Sequence, residues 1–213
     1  MTTVRITEIF YSLQGESNTT GLPTVFVRLT GCPLRCKYCD MAYAFQGGEV
    51  TAIDKIIAKI ASYKTHYVCV TGGEPLAQPN CIPLLKKLCD ANYRVSLETS
   101  GARDISTVDP RVTVVMDLKT PGSGEMERNL WSNIPLLKAH DQIKFVLCDR
   151  EDYLWACDMI TQYHLSDKAQ VLFSPSWGQL NPTELASWIL EDQLSVRFQL
   201  QLHKILWDDA KGR

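Results

Sequence analysis

Hydrophobic positions along this chain recur with two periods, and their alternation organises the rest of the reading. Residues 24–30, TVFVRLT, set Val25, Val27 and Leu29 against Phe26, Arg28 and Thr30, the two-residue repeat of a strand with two unlike faces. Arg28 therefore shares a face with Phe26 and Thr30. Residues 51–61, TAIDKIIAKIA, carry Ile53, Ile56, Ile57 and Ile60 at helical spacing, with Thr51 and Asp54 as a shortened capping box. Further strand patterns fall at 66–71, 93–99, 112–118, 142–148, 170–174 and 196–202, and further helical patterns at 81–91, 153–163 and 183–191. The last helix has the clearest start, with Asn181 as N-cap, Pro182 in the first turn and Glu184 as an early acid.

Strands alternating with helices predict a parallel sheet, open or rolled into a barrel. One link breaks the pattern: SGARDISTVDPR, between Thr99 and Val112, is polar and proline-terminated, too short for a normal crossover helix. The expected fold is α/β, an incomplete and shortened (β/α) barrel, with residues 1–213 as a single domain.

Composition narrows the partners. The 213 residues are 45% hydrophobic and 22% charged, without low-complexity tracts, so a full core is expected. A formal net charge of -2 gives no broad nucleic-acid footprint. No apolar run is long enough to span a membrane, and MTTVRITEIFYSLQGE lacks the basic start and apolar run of a signal peptide. A cytoplasmic protein acting on a small molecule is the expectation. There, clustered cysteines point to metal or catalysis rather than disulfides. Of eight cysteines, Cys69, Cys81, Cys89, Cys148 and Cys157 stand isolated among apolar residues and read as core thiols.

The other three, Cys32, Cys36 and Cys39, share TGCPLRCKYCDMAYAF (30–45). A structural zinc site needs four ligands, usually as two pairs. Three thiolates on a 4Fe-4S cluster would instead hold three irons and leave the fourth open to an exogenous ligand. Zinc completed by His66 or His203, or three incidental core thiols, are the alternatives. TGGEP (71–75) offers two glycines where a ligand can approach backbone, and Glu74 to accept from an ammonium group. The distinctive segments all follow predicted strands: the cysteine loop, TGGEP, ETSG (98–101), DLK (117–119), FSPS (173–176) and LHK (202–204). That face, the carboxyl ends of the strands, is where parallel α/β folds build sites.

The CxxxCxxC loop with Tyr38 before its last cysteine, together with Gly72–Pro75, resembles the radical S-adenosylmethionine (SAM) superfamily. That resemblance implies a 4Fe-4S cluster on Cys32, Cys36 and Cys39, whose open iron binds SAM and whose reduction cleaves it to a 5'-deoxyadenosyl radical. YSLQGE (11–16), VFVRLTGC, VTGGEP, LETSG and QLHK are similar, over nearly the whole chain, to the 7-carboxy-7-deazaguanine synthase family. Members convert 6-carboxy-5,6,7,8-tetrahydropterin to 7-carboxy-7-deazaguanine with loss of ammonia, on the route to queuosine. The resemblance implies a homodimer with a shortened barrel of the radical SAM type and a reductant such as flavodoxin.

Matched motif by motif, the resemblance implies that Leu13, Gln14, Gly15 and Glu16 meet the pterin, that Arg28 binds its carboxylate, and that Thr71 and His203 approach it. The SAM side would be Tyr38, Cys39, Asp40, Gly73, Glu74, Ser100, Asp117, Leu118, Lys119 and the loop Phe173, Ser174, Pro175, Ser176. No residue of the chain is singled out as a catalytic acid or base, because the hard chemistry is the cofactor's. The chain departs from the pattern at Met41, where the family commonly has a threonine that helps hold Mg2+. A thioether is a soft donor and magnesium a hard cation, so water in the missing position, a reorganised Asp40, or a weaker or absent metal remain open, with water preferred. The tail ILWDDAKGR finds no residue-by-residue match, although in this family the last residues can close over the pterin. A glycyl-radical-enzyme activase and a non-catalytic iron-sulfur or zinc module are the competing readings.

Overall fold

The structure is a computed structural model that describes residues 2–208 and 210–212. A hairpin of β1 (Thr3–Leu13) and β2 (Pro23–Leu29) begins the sheet, and β3 (Glu49–Ala52) pairs antiparallel with the outer edge of β1. From β2 onward every pairing is parallel, through β4 (Tyr67–Gly72), β5 (Arg94–Thr99), β6 (Thr113–Asp117), β7 (Gln142–Leu147), β8 (Gln170–Pro175) and β9 (Arg197–Phe198). Among the described residues the order β3-β1-β2-β4-β5-β6-β7-β8-β9 has no closing pair, so the sheet is an incomplete barrel, as the sequence predicts.

The two-residue repeat sorts the faces. Val25, Val27, Leu29, Val68, Val70, Val95, Leu97, Ile143, Phe145 and Leu147 point outward. They form one core with Ile53, Ile56 and Ile60 of α1 (Ile53–Ile60), Leu84, Leu85 and Leu88 of α2 (Cys81–Asp90), Tyr153 and Ile160 of α3 (Arg150–Tyr163), and Leu185 and Ile189 of α4 (Pro182–Glu191). Phe145 meets Trp155 and Phe173 edge-on. Truncating any of these fully buried leucines would cost about 2–5 kcal/mol. The other face is largely polar, with one small apolar cluster of Phe10, Phe26 and Cys69.

Several expectations are corrected. Residues 3–13, unassigned from the pattern, form a strand because they pair with β2; a register shift between Ile6 and Glu8 breaks the alternation that would have revealed it. Thr51 does not cap α1. It belongs to β3, and the N-cap is Ala52, without a side-chain hydrogen bond. Asn181 does cap α4, accepting from the Thr183 N–H. The predicted strand 196–202 shrinks to β9, and LHK opens a short helix, α5 (Leu202–Trp207). The missing crossover helix after β5 is confirmed, and a second is missing after β6, where residues 118–141 make only 3-10 turns. Asp152 pins that segment, accepting from Thr120 Oγ1 and the Gly122 and Cys148 N–H groups.

The hairpin loop 14–22 crosses to the far side of the sheet. The Asn18 N–H donates to Gln142 Oε1 (2.8 Å), Gln199 bonds both the N–H and C=O of Ser17, and the Leu202 N–H donates to Gly15 O (3.0 Å). Side chains thereby fill part of the space that the unclosed sheet leaves.

Candidate active site

The inward residues of β2 to β7 and the loops at the strands' carboxyl ends enclose a cavity of about 550 Å3. On one wall stand Cys32, Cys36 and Cys39. Their loop leaves β2 through Gly31, held by Gly31 N–H to Ala44 O and by Lys37 N–H to Ser123 O. The two glycines after β4 explain how that loop is seated. A Cβ at Gly73 would lie 2.3 Å from Gly31 O and 2.7 Å from Cys32 Cβ, and one at Gly72, whose φ is +144°, would lie 2.2 Å from Leu29 O. Their first service is thus close packing of the β4 loop against the cysteine loop. Glu74 completes the clamp, its carboxylate accepting from Thr99 Oγ1, Ser100 Oγ and the N–H groups of Ser100 and Leu76.

Half-burial pushes all three thiols up, Cys36 to about 11, although the nearby Lys119 ammonium pulls the other way. An activated nucleophilic cysteine would be shifted downward. Binding to a metal would instead make these thiols thiolates by releasing their protons. Among the described residues no three His, Cys, Asp or Glu side chains converge closely enough to hold a metal ion. His66 is exposed and precedes β4, away from the carboxyl-end loops, so it cannot complete a zinc site with them. Three thiols carried by one loop on one wall of the cavity suit a cluster, whose irons occupy separate corners. Beside them, Asp117 Oδ1 and the Tyr38 hydroxyl are buried in the cavity wall without hydrogen-bond partners among the described residues, polar atoms a polar ligand such as SAM would satisfy.

The opposite wall is built by β1, β2 and the 14–22 loop. Arg28 donates from Nε to Glu8 Oε1 (2.7 Å), its guanidinium rests 5.3 Å over the Phe10 ring, and Tyr43 donates to the same Glu8 oxygen (2.8 Å). Gln14 and Thr71 both donate to Glu98 (3.3 and 2.8 Å). Gly15 is in contact with His203: a Cβ there would fall 2.2 Å from Nδ1. Glu16 accepts from Lys144 Nζ (2.6 Å) and Gln201 Nε2 (2.9 Å). Burial would raise the Glu16 carboxyl, but Lys144 and then His203 outweigh it and hold it at about 2. Lys144, which burial would discharge, is kept cationic by Glu16 and Asp117.

Of the residues predicted from sequence, Leu13, Gln14, Gly15, Glu16, Arg28, Tyr38, Asp40, Gly73, Thr71, Ser100, Asp117, Lys119, Ser176, His203 and the three cysteines line this cavity, as does Met41. Five do not. Leu118 and Phe173 face the helices in the main core, Ser174 and Pro175 are buried within β8, and the Glu74 carboxylate is spent on the clamp. Glu8, Tyr43, Glu98, Lys144, Gln201 and Lys204 line or frame the site without having been assigned a role, although Glu98, Gln201 and Lys204 fall within the segments ETSG and QLHK. Glu98 and Lys144 could have been found, since each is a charge inside an otherwise strand-like pattern. The tail joins too: Asp208, Ala210, Lys211 and Gly212 line the mouth, with Lys211 Nζ 4.5 Å over Tyr43. Of the isolated cysteines, Cys69, Cys81 and Cys89 are buried as expected, whereas Cys148 and Cys157 are half-exposed. No described helix is long and apolar enough to cross a membrane.

Residues 26–118 match the radical SAM superfamily. The chain is 45% identical over 213 residues to the 7-carboxy-7-deazaguanine synthase of Chlorobaculum tepidum, covering 98% of this chain and 97% of that one. It is 42% identical to the same-named protein of Koribacter versatilis, covering 98% and 100%. Its fold is that of the crystal structure of QueE from Escherichia coli, with TM-score 0.78 at 22% identity and 95% and 96% coverage. Streptococcus suis SuiB bound to S-adenosylmethionine matches more loosely, with TM-score 0.57 at 15% identity over 80% of this chain and 48% of that one.

Proposed function

Since the chain belongs to the 7-carboxy-7-deazaguanine synthase family, we propose that it converts 6-carboxy-5,6,7,8-tetrahydropterin to 7-carboxy-7-deazaguanine with loss of ammonia, as a radical SAM lyase in queuosine biosynthesis. The observation that carries this reading is a single cavity with Cys32, Cys36 and Cys39 on one wall and Arg28 with the LQGE loop on the other. When bound, the 4Fe-4S cluster and SAM supply one-electron reduction and hydrogen-atom abstraction; the chain's own residues bind and orient.

Arg28 takes the substrate carboxylate on its terminal nitrogens, with Nε already committed to Glu8. Gln14, Gly15, Thr71 and His203 flank the pterin, and Leu13 packs beside them. Glu16 works through its neighbours: bonded to Lys144 and Gln201, it fixes the loop that carries Gln14 and Gly15. Tyr38, Asp40, Gly73, Ser100, Asp117, Lys119 and Ser176 hold SAM, while Glu74 keeps Ser100 in position. The whole chain acts as one domain, as a cytoplasmic homodimer reduced by a flavodoxin-like donor.

The magnesium ion that the family resemblance implies fits these residues poorly. Met41 presents a thioether, its carbonyl accepts the Ala44 N–H, and Asp40 Oδ2 lies 3.3 Å from Lys204 Nζ. No step is routed through it.

The test is anaerobic: reconstituted protein, SAM, a strong reductant and 6-carboxytetrahydropterin, with product followed by chromatography. Formation of 7-carboxy-7-deazaguanine is expected. SAM cleavage without that product would overturn the pterin assignment in favour of an activase acting on a protein backbone, and neither SAM binding nor cleavage would leave a non-catalytic module.

A further inference from the structure

Asp40 follows Cys39 directly and lines the cavity beside Met41, its side chain 38% exposed. Lys204 reaches it from α5 with a side chain only 7% exposed, and the ammonium stands 3.3 Å from Oδ2. The approach is built in. The Leu202 N–H is tied to Gly15 O, the Lys204 N–H to Gln201 O, and the Gln201 side chain to Glu16, so the loop that forms the substrate wall also fixes the start of α5. An ammonium carries three donors, enough to hold Asp40 and other acceptors at once.

The Met41 carbonyl and Asp40 Oδ2, two of the oxygens nearest the cysteine loop's end, thus each have a competing commitment. The Met41 carbonyl is bonded to Ala44, the Met41 side chain offers only sulfur, and Asp40 faces a buried cation that would repel a dication a few ångströms away. We propose that the Lys204 ammonium is the resident cation at this end of the cavity, standing where a divalent metal would otherwise pair with the anionic substrate, and that this protein binds its substrate without magnesium. The inference rests on the pterin carboxylate reading above, and it assigns that carboxylate two cationic neighbours, Arg28 and Lys204.

The experiment uses the cluster-loaded protein in metal-depleted buffer without chelator. One arm measures product against added Mg2+. The other measures Mn2+ uptake by electron paramagnetic resonance with SAM and 6-carboxytetrahydropterin present and no reductant. The wild type should change rate by less than about twofold across the titration and bind no Mn2+. Lys204→Met should raise KM by about tenfold or more while keeping its iron content, and Lys204→Arg should recover most of the loss. Lys204→Met combined with Met41→Thr should gain Mn2+ uptake. Stoichiometric Mn2+ binding by the wild type, or a tenfold rate response to Mg2+, would overturn the proposal. If no variant makes product, the proposed function fails instead, and the Mn2+ arm alone decides: uptake by the wild type refutes the lysine reading, and uptake confined to the double variant sustains it.

Discussion

Replacing Lys144 with methionine removes the cation that keeps a buried carboxylate charged while preserving most of the side chain's volume. Glu16 is 7% exposed, and its carboxyl is held at about 2 against a reference of 4.5. A depression of that size corresponds to about 3 kcal/mol of stabilisation at neutral pH. Breaking a buried ion pair from one side costs about 3–5 kcal/mol on general grounds, a consistent figure. For a chain of this length that is a fall in Tm of roughly 6–12 °C. The sign follows from the depressed pKa: the contribution is complete above about pH 4.5 and is lost as pH falls towards about 2. Anaerobic urea unfolding, followed by circular dichroism, should therefore show the gap between wild type and Lys144→Met narrowing from pH 6 to pH 3. Adding Glu16→Gln should restore much of the loss, because neither charge is then stranded. A single variant within about 1 kcal/mol of wild type at pH 7, or a double variant no more stable than the single, would refute the assignment of Glu16–Lys144 as a charge pair that anchors the 14–22 loop.

Three further outcomes are expected. Cys36→Ala should lose the iron-sulfur absorbance and most of the bound iron, with product formation falling by at least about a thousandfold, because two thiolates cannot hold a cluster that needs three. Glu8→Gln should raise KM about tenfold with kcat nearly unchanged, since it weakens a charge-assisted hydrogen bond that orients Arg28; a drop confined to kcat would contradict that role. Gly15→Ala should keep its cluster but bind substrate poorly by equilibrium dialysis, because the new Cβ would overlap His203 Nδ1 at 2.2 Å.

Much of this site can be read from the chain, because its signals are local. The alternation in TVFVRLT turns Arg28 inward whatever the strand's neighbours, and Asn181 caps α4 through a bond to the nearby Thr183 N–H. The polar stretch after Thr99 lacks room for a helix, and the trio of cysteines carries its spacing on its face. The same locality sets the limit. Strand β1 is hidden by a register shift and is recognisable only by its pairing with β2. The glycines of GGEP look suited to a ligand, yet the close approach they permit is to Gly31 and Leu29.

What the sequence by itself determined is the periodicity of each face, the donor chemistry of the cysteine loop and the open link in the barrel, since each depends on residues a few positions apart. Tertiary structure alone decided which charges meet: Glu16 with Lys144 across 128 positions, Gln199 with Ser17 across 182, and Lys204 with Asp40 beside a methionine. The physical reason is that a charge's effect depends on distance and burial, which the fold creates by bringing the 14–22 loop and the chain's last helix to one wall of one cavity.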